Sequence, residues 1–367
     1  MKKQGIDRIF FGIIIALIVV GVIMFTSASL GILAKNEAKF YGVIFAQFVF
    51  GLCGGLVVLY FGLKIPYKFW RNYSLPLFIA SVILTSLVFV PHLGSSHGGA
   101  YRWINIFGIS FQPVEFLKIG FILYFAAWLS WAKGRISDIR FSLLPLFVLL
   151  SIITLVLLKQ PDTKSIILIT ITGIAMLFVS GVPWKYIFGL IGISVIGFLI
   201  LATFKPYLME RLNTFIHPNQ NGSSTSYQLQ QSLIAVGSGG TFGRGLGQSI
   251  QKFNYLPEPQ GDSIFAVVGE ELGFFGSVIL ICLYVAFALR GYRISNNAPD
   301  AFSKLLVTGI ITMITAQSFM NMASIIGVFP LTGVPLVFIS HGGTALLLSL
   351  GMMGIVLNIS RSIKKQA

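Results

Sequence analysis

Charge is what this sequence has least of. Aspartate, glutamate, lysine and arginine together make up 10% of its 367 residues, against roughly 25% in an ordinary soluble domain. Too little charge is present to coat a water-facing surface, which excludes a soluble globule. Cysteine is scarcer still. Cys53 and Cys282 both fall inside apolar stretches and read as packing residues, with no disulfide or zinc spacing around them. No internal repeat is detectable, which weighs against an inverted-repeat transporter. Acidic residues number 11 against 26 basic ones, a net charge of +15. The basic residues flank apolar runs and form no stripe with interleaved aromatics, so nucleic acid is not the partner.

What is present is apolar: 55% of the residues are hydrophobic and the mean hydropathy is +0.86. A bilayer crossing needs about 20 such residues. Ten runs qualify: Phe10–Leu30, Tyr41–Leu63, Ser74–Val90, Phe111–Trp131, Phe141–Leu158, Ser165–Val182, Tyr186–Thr203, Ser263–Leu289, Ser303–Val328 and Val334–Ile359. The expected fold is an all-α polytopic membrane protein of about ten helices, forming one domain over residues 1–367. Basic residues concentrate in alternate connections, at Lys2, Lys3 and Arg8, at Lys64, Lys68 and Arg71, at Lys133, Arg135 and Arg140, at Lys185, at Arg290, Arg293 and Lys304, and at Arg361, Lys364 and Lys365. Short cytoplasmic loops prefer such residues, so both termini are expected in the cytoplasm. The N-terminus has the layout of a signal peptide, basic then apolar then Ser27-Ala28-Ser29; the nine further runs favour an uncleaved first helix.

Two outward connections are long. One runs from Pro91 to about Gln112; the other, residues 204–262, lies between helices seven and eight. A loop of that length is usually functional or disordered. Its polar centre, Pro218–Ser226, reads as mobile. Its later part predicts a short interfacial or re-entrant helix followed by a tight turn over Gly237–Gly247. That glycine cluster is no nucleotide loop, because it opens no helix after a strand and lies outside the cell.

Few acidic residues remain as candidates for chemistry, and ionisable groups near membrane depth tend to be functional. Glu115 and Lys118 are three apart at the outer end of the fourth helix, so they share a face; they are either a structural ion pair or part of a polar pocket with Arg102. Asp162 suits a helix cap better than catalysis. Asp262, just before the eighth helix, is either a cap or a catalytic carboxylate at the membrane–water boundary, with Glu258 in the same turn. Glu270 and Glu271, roughly 12 Å deeper at 1.5 Å per residue, read as buried and hydrogen-bonded.

The stretch from Tyr255-Leu256-Pro257-Glu258 through Asp262-Ser263-Ile264-Phe265 to Gly269-Glu270-Glu271-Leu272-Gly273 resembles the signature of the SEDS proteins, the FtsW, RodA and SpoVE group, and its wording is closer to FtsW. Further blocks agree in order: Arg102-Trp103-Ile104, Phe111–Lys118, Gln160-Pro161-Asp162, Gln228–Ser232, Gly327–Pro335 and Ile339–Gly343. The resemblance implies a ten-helix peptidoglycan glycosyltransferase in the bacterial cytoplasmic membrane, at the division septum. It would polymerise lipid II into β-1,4 glycan beside a class B penicillin-binding protein and other division proteins. The family's essential aspartate falls on Asp262, and its pocket residues on Arg102, Glu115 and Lys118. Departures from the family pattern occur at Pro259-Gln260-Gly261, at Ser110 and at His341.

An inverting transfer needs one base on the acceptor hydroxyl and positive charge at the leaving diphosphate. Asp262 is the expected base. Arg102 and Lys118, with Arg244, are the expected cations, and Glu258 is grouped with them as substrate-binding. The family's association with divalent cations makes Mg2+ or Mn2+ on the diphosphate reasonable chemistry, although no metal ligands are identified. A lipid II flippase and a non-catalytic division scaffold are the alternative readings. Few ionisable groups continue toward the cytoplasmic half, which favours chemistry at the outer surface.

Overall fold

The computed structural model describes residues 5–91, 93–97, 100–106, 109–218 and 223–363. Lys2, Lys3, Lys364 and Lys365, used above for orientation, and positions 219–222 of the polar loop centre lie outside the described residues. Among the described residues nine helices are long and apolar enough to cross a membrane, and the shorter Ser74–Phe89 makes a tenth. They are α1 (Arg8–Leu33), α2 (Glu37–Lys64), α3 (Ser74–Phe89), α4 (Val114–Trp131), α5 (Ile139–Lys159), α6 (Thr163–Ser180) and α7 (Trp184–Phe204). After the long loop, with its helices α8 (Pro206–Ile216) and α9 (Ser224–Ser238), come α10 (Ile264–Asn296), α11 (Ala301–Ile325) and α12 (Gly343–Ser360).

Helix α11 is the axis of the bundle. Most of its residues are buried, whereas α7 at the rim has only Ile187, Leu190 and Ala202 buried. Lipid tails are as apolar as leucine, so helices gain little by burying leucine against each other; polar and small side chains do much of the joining. Helix α11 accordingly presents Gln317, Ser318, Asn321 and Ser324 inward, all buried. Cys53 and Cys282 are outward-facing, not packed.

One end of the bundle is tied together by Asp7. Its carboxylate pairs with Arg290 at 2.9 Å and its backbone N–H donates to Ser360 Oγ at 3.1 Å. Tyr67 Oη donates to Asp300 at 2.8 Å nearby in the fold's connections between α2 and α3 and between α10 and α11. The start of α1 and the ends of α10 and α12 therefore share one face, as an even number of crossings requires.

The expected all-α polytopic fold is found, with four differences of detail. The last helix begins at Gly343, not at Val334. Residues 334–342 are apolar but run without helical structure, because Pro335 lacks a donor and Gly333 and Phe338 have positive φ. Their backbone is held instead by side chains, which is what makes such a segment tolerable at membrane depth. Gln47 receives the N–H of Gly342 (3.0 Å) and donates to Ser340 O (3.2 Å), from a π-helical stretch of α2 at Ala46–Cys53. Second, a small sheet is added outside the expected all-α bundle. The first outer loop forms an antiparallel sheet of β1 (Gly94–His97), β2 (Ala100–Ile106) and β3 (Ile109–Phe111), with Ser95 opposite Trp103 and Ile104 opposite Phe111. Third, β3 takes Phe111, so α4 starts at Val114. Fourth, the long loop holds a second helix, α8, opened by Pro206 at its first position, where a missing N–H costs nothing.

Candidate active site

The turn before α10 is built to hold Asp262 out. Glu258 adopts a positive φ of 44°, and its carbonyl accepts from Gly261 N (2.9 Å) and Ser263 N (3.4 Å). Ser263 takes the N-cap position of α10, so Asp262 is not the cap and its carboxylate is left for other work. Asn321 on the central helix donates both to Asp262 O (2.6 Å) and to Val334 O (2.8 Å). One turn earlier, Gln317 donates to Pro335 O (3.1 Å). Two amides on α11 thus clamp the Asp262 turn against the non-helical strap over residues 331–336.

The carboxylate is half-buried. Gln228 of α9 donates to Oδ1 at 3.2 Å and also to Ser263 Oγ at 3.0 Å. Oδ2 faces Gly333. A methyl group placed on Gly333 would sit 3.4 Å from Oδ2 and 3.6 Å from Arg211 Nη2, so the two charged groups converge over a residue with no side chain. Lys164 Nζ donates to Gly333 O, and Arg211 Nη1 to Thr332 O at 2.9 Å. Arg102 on β2 donates to Gln160 O (3.1 Å) and Pro161 O, close enough for its charge to act on Lys164 and Arg211. Beside these lies a cavity of about 490 Å³ whose lining includes Arg211, Gln228, Pro257 and Gly333. Burial pushes the Asp262 carboxyl above the ordinary carboxylate range; the Gln228 hydrogen bond and the charges of Lys164 and Arg211 pull it partly back.

Of the residues expected from sequence, Asp262 and Arg102 reach this site. Glu258 is exposed on the turn itself and accepts from Gln260 Nε2 at 3.1 Å. Glu115 and Lys118 pair at 2.7 Å in the interior, and Lys118 also donates to Gln317 at 3.0 Å. That pair therefore supports the clamp on Pro335 from below, with the Lys118 ammonium already engaged. Arg244 lies with the glycine turn, its Nε 3.3 Å from Ser238 O and 3.8 Å from Glu270. Asp162 occupies the N-cap position of α6 and accepts from Ser165 at 2.8 Å. Lys164 and Arg211 were missed. Lys164 stands two residues beyond the Gln160-Pro161-Asp162 block, and Arg211 sits on α8, whose amphipathic pattern was the only signal.

Among the described residues no three His, Cys, Asp or Glu side chains come together as a metal-holding group. The neighbours of Asp262 are cations, a poor donor set for Mg2+ or Mn2+. The residues here do not fit a protein-held divalent ion.

Two turns into α10 a second acidic cluster is closed off. Glu270 accepts from Ser249 Oγ (2.5 Å), Ile250 N (3.0 Å) and Gln251 N (3.3 Å). Glu271 pairs with Lys252 at 2.7 Å and accepts from Ser27 Oγ at 2.7 Å, with no side-chain exposure in the pair. At Gly273 the helix breaks, with φ 67° and ψ −163°, a conformation that only glycine adopts without strain. The glycine-rich turn completes the broken ladder: Arg244 N donates to Glu270 O and Gly245 N to Glu271 O, both at 3.0 Å, while Phe274 N donates to Gly240 O at 2.9 Å. The expected short helix and tight glycine turn are both found, as α9 and the segment after it.

A family model described as cell cycle protein, FtsW/RodA/SpoVE, matches residues 7–365. The chain belongs to that family. It is similar to the probable peptidoglycan glycosyltransferase FtsW of Trichlorobacter lovleyi, at 37% identity over 98% of this chain and 94% of that one. It is also similar to stage V sporulation protein E of Bacillus subtilis, at 36% identity over 98% of each. Among solved structures it resembles a chain of a peptidoglycan synthase complex described as coordinating polymerization and crosslinking. There the TM-score is 0.80 and the identity 25%, over 98% of this chain and 99% of that one. Family membership and the ten-helix fold agree with the reading from sequence.

Proposed function

We propose that this chain is a peptidoglycan glycosyltransferase that polymerises lipid II at the outer face of the cytoplasmic membrane during division. Its partners would be a class B penicillin-binding protein and other division proteins. The observation that carries this reading is one half-buried carboxylate, Asp262, set beside Lys164 and Arg211, with Arg102 close to those two cations, next to a cavity that Arg211 and Gly333 line. In this scheme Asp262 takes the proton from the acceptor sugar 4-hydroxyl. The freed oxygen attacks the anomeric carbon of the donor, and the bond from that carbon to the diphosphate oxygen breaks with its electron pair leaving on undecaprenyl diphosphate. The α linkage becomes β in one displacement, which needs one base and no carboxylate nucleophile. Asp162 is buried with its Oδ2 accepting from Ser165, and Glu258 on the turn is exposed.

Lys164 and Arg211 replace Lys118 and Arg244 as the cations expected to meet the diphosphate, with Arg102 retained. The face that carries Asp7, Arg290 and Asp300 is the cytoplasmic one in this reading, which places both termini inside. Purified full-length protein given labelled lipid II should produce glycan ladders on a gel. Lipid translocation without glycan would mean a flippase, and neither activity, with a cognate penicillin-binding protein present, would mean a scaffold.

A further inference from the structure

At the opposite end of the bundle from Asp262 lies a second cavity, of about 590 Å³, between the start of α1 and the end of α10. Its lining carries three guanidinium groups, those of Arg8, Arg290 and Arg293, and a single carboxylate, Asp7. Asp7 is already spent. It pairs with Arg290 through Nη2 at 2.9 Å and Nε at 3.0 Å, and it caps α1 by accepting from Phe10 N at 2.9 Å. Among the described residues Arg8 and Arg293 have no acidic partner, and both are exposed. The cavity thus has two uncompensated positive charges at its mouth.

Its lining is mixed, with isoleucines beside Asn297, Ser360 and the charged groups. Ile6, Ile9 and Ile294 line it, and Ile9, 60% exposed, begins a track that continues along the outer side of α1 through Ile15, Val19 and Ile23. Nothing lies within 4 Å of the place where a side chain on Gly12 would begin, so the track is open between Ile9 and Ile15. The cavity lies where α1 begins and α10 ends, the end of the bundle opposite Asp262 and the cytoplasmic one in the proposed orientation, which is head-group level. A soluble anion would use the arginines alone. An amphiphile uses the arginines and the apolar track.

We propose that this cavity is a binding site for an anionic phospholipid, whose phosphate lies between Arg8 and Arg293 and whose acyl chain follows the Ile9–Ile23 side of α1. Basic pockets of this kind on the cytoplasmic side of membrane helices suit such head groups. Arg290 is left out of the test because it holds Asp7. Purified full-length protein would be released from detergent in native mass spectrometry after equilibration with phosphatidylglycerol or phosphatidylcholine, and with sn-glycerol 3-phosphate as a soluble competitor. The wild type should retain phosphatidylglycerol over phosphatidylcholine, and Arg8→Gln/Arg293→Gln should lose that retention about tenfold or more. Arg140→Gln, an exposed arginine on another connection of the same end, should change nothing. Ile9→Asn should weaken retention while both arginines remain, since the chain loses its track. A thermal melt equal to that of the wild type shows that each variant is folded. Equal retention of the two lipids, an unaffected double variant at equal melting temperature, or full displacement by glycerol phosphate would overturn the proposal.

Discussion

Asp262, in the turn before α10, and the Glu270–Glu271 pair, about two turns into that helix, meet opposite fates. Glu271 is surrounded by Ser27, Lys252 and Ser249, and Glu270 by Ser249, Ile250 and Gln251, so their charges are matched inside the protein. Asp262 has one side-chain partner from elsewhere in the fold, Gln228, and its Oδ2 faces Gly333 and Arg211 at the edge of a cavity. Buried charge of the first kind fixes backbone; here it fixes a glycine turn against a broken helix. Half-buried charge of the second kind keeps lone pairs for a ligand. The number of fixed donors, not the residue type, separates structure from chemistry.

That contrast can be tested from both sides. Lys252→Met should have the largest effect on folding, because it strands Glu271 without its cation; losing one partner of a buried pair costs about 3–5 kcal/mol. The measurement is the melting temperature of detergent-purified protein, and adding Glu271→Gln should restore part of the loss. If Lys252→Met melts like wild type, the cluster is not structural.

Arg211→Gln should do the reverse. It should leave the melting temperature nearly unchanged and slow polymerisation on the order of 10²-fold, the scale seen when one charge-stabilising donor is removed. The same variant sharpens the electrostatic account. A general base must be ionised, so activity falls as pH drops through the carboxyl's own pKa. Burial raises that value and Arg211 lowers it. The acid limb of the rate profile should therefore lie above the ordinary carboxylate range and move further up in Arg211→Gln. A limb that stays in place would mean that Arg211 does not act on Asp262. The smallest effect is expected from Arg244→Gln: its contact with Glu270 is 3.8 Å long and 37% exposed, so both rate and stability should change by about threefold or less.

The ten spans were legible because a bilayer demands long apolar runs, and most helices begin and end within a few residues of them. The stretch 334–342 failed for a reason that the same logic explains. Hydropathy reports whether a segment can be buried, not whether it is helical, and this one is buried against protein with its backbone held by Gln47, Gln317 and Asn321. The Glu115–Lys118 pair was legible from spacing on one helix, and the structural alternative describes the contact found. Asp262 stood out by its motif. Lys164 and Arg211 were not legible, because they come from different helices and meet Asp262 only through the fold of a non-helical strap around Gly333.

The central claim is tested most directly by Asp262→Asn, assayed for polymerisation of purified lipid II and for melting temperature on one preparation. Because burial disfavours the ionised carboxyl, the raised pKa adds stability only while the group is protonated and loses it as pH rises. At neutral pH the amide should therefore melt at or slightly above the wild type. Glycan synthesis should be abolished. Polymerisation near the wild-type rate by a folded Asp262→Asn protein would contradict the account.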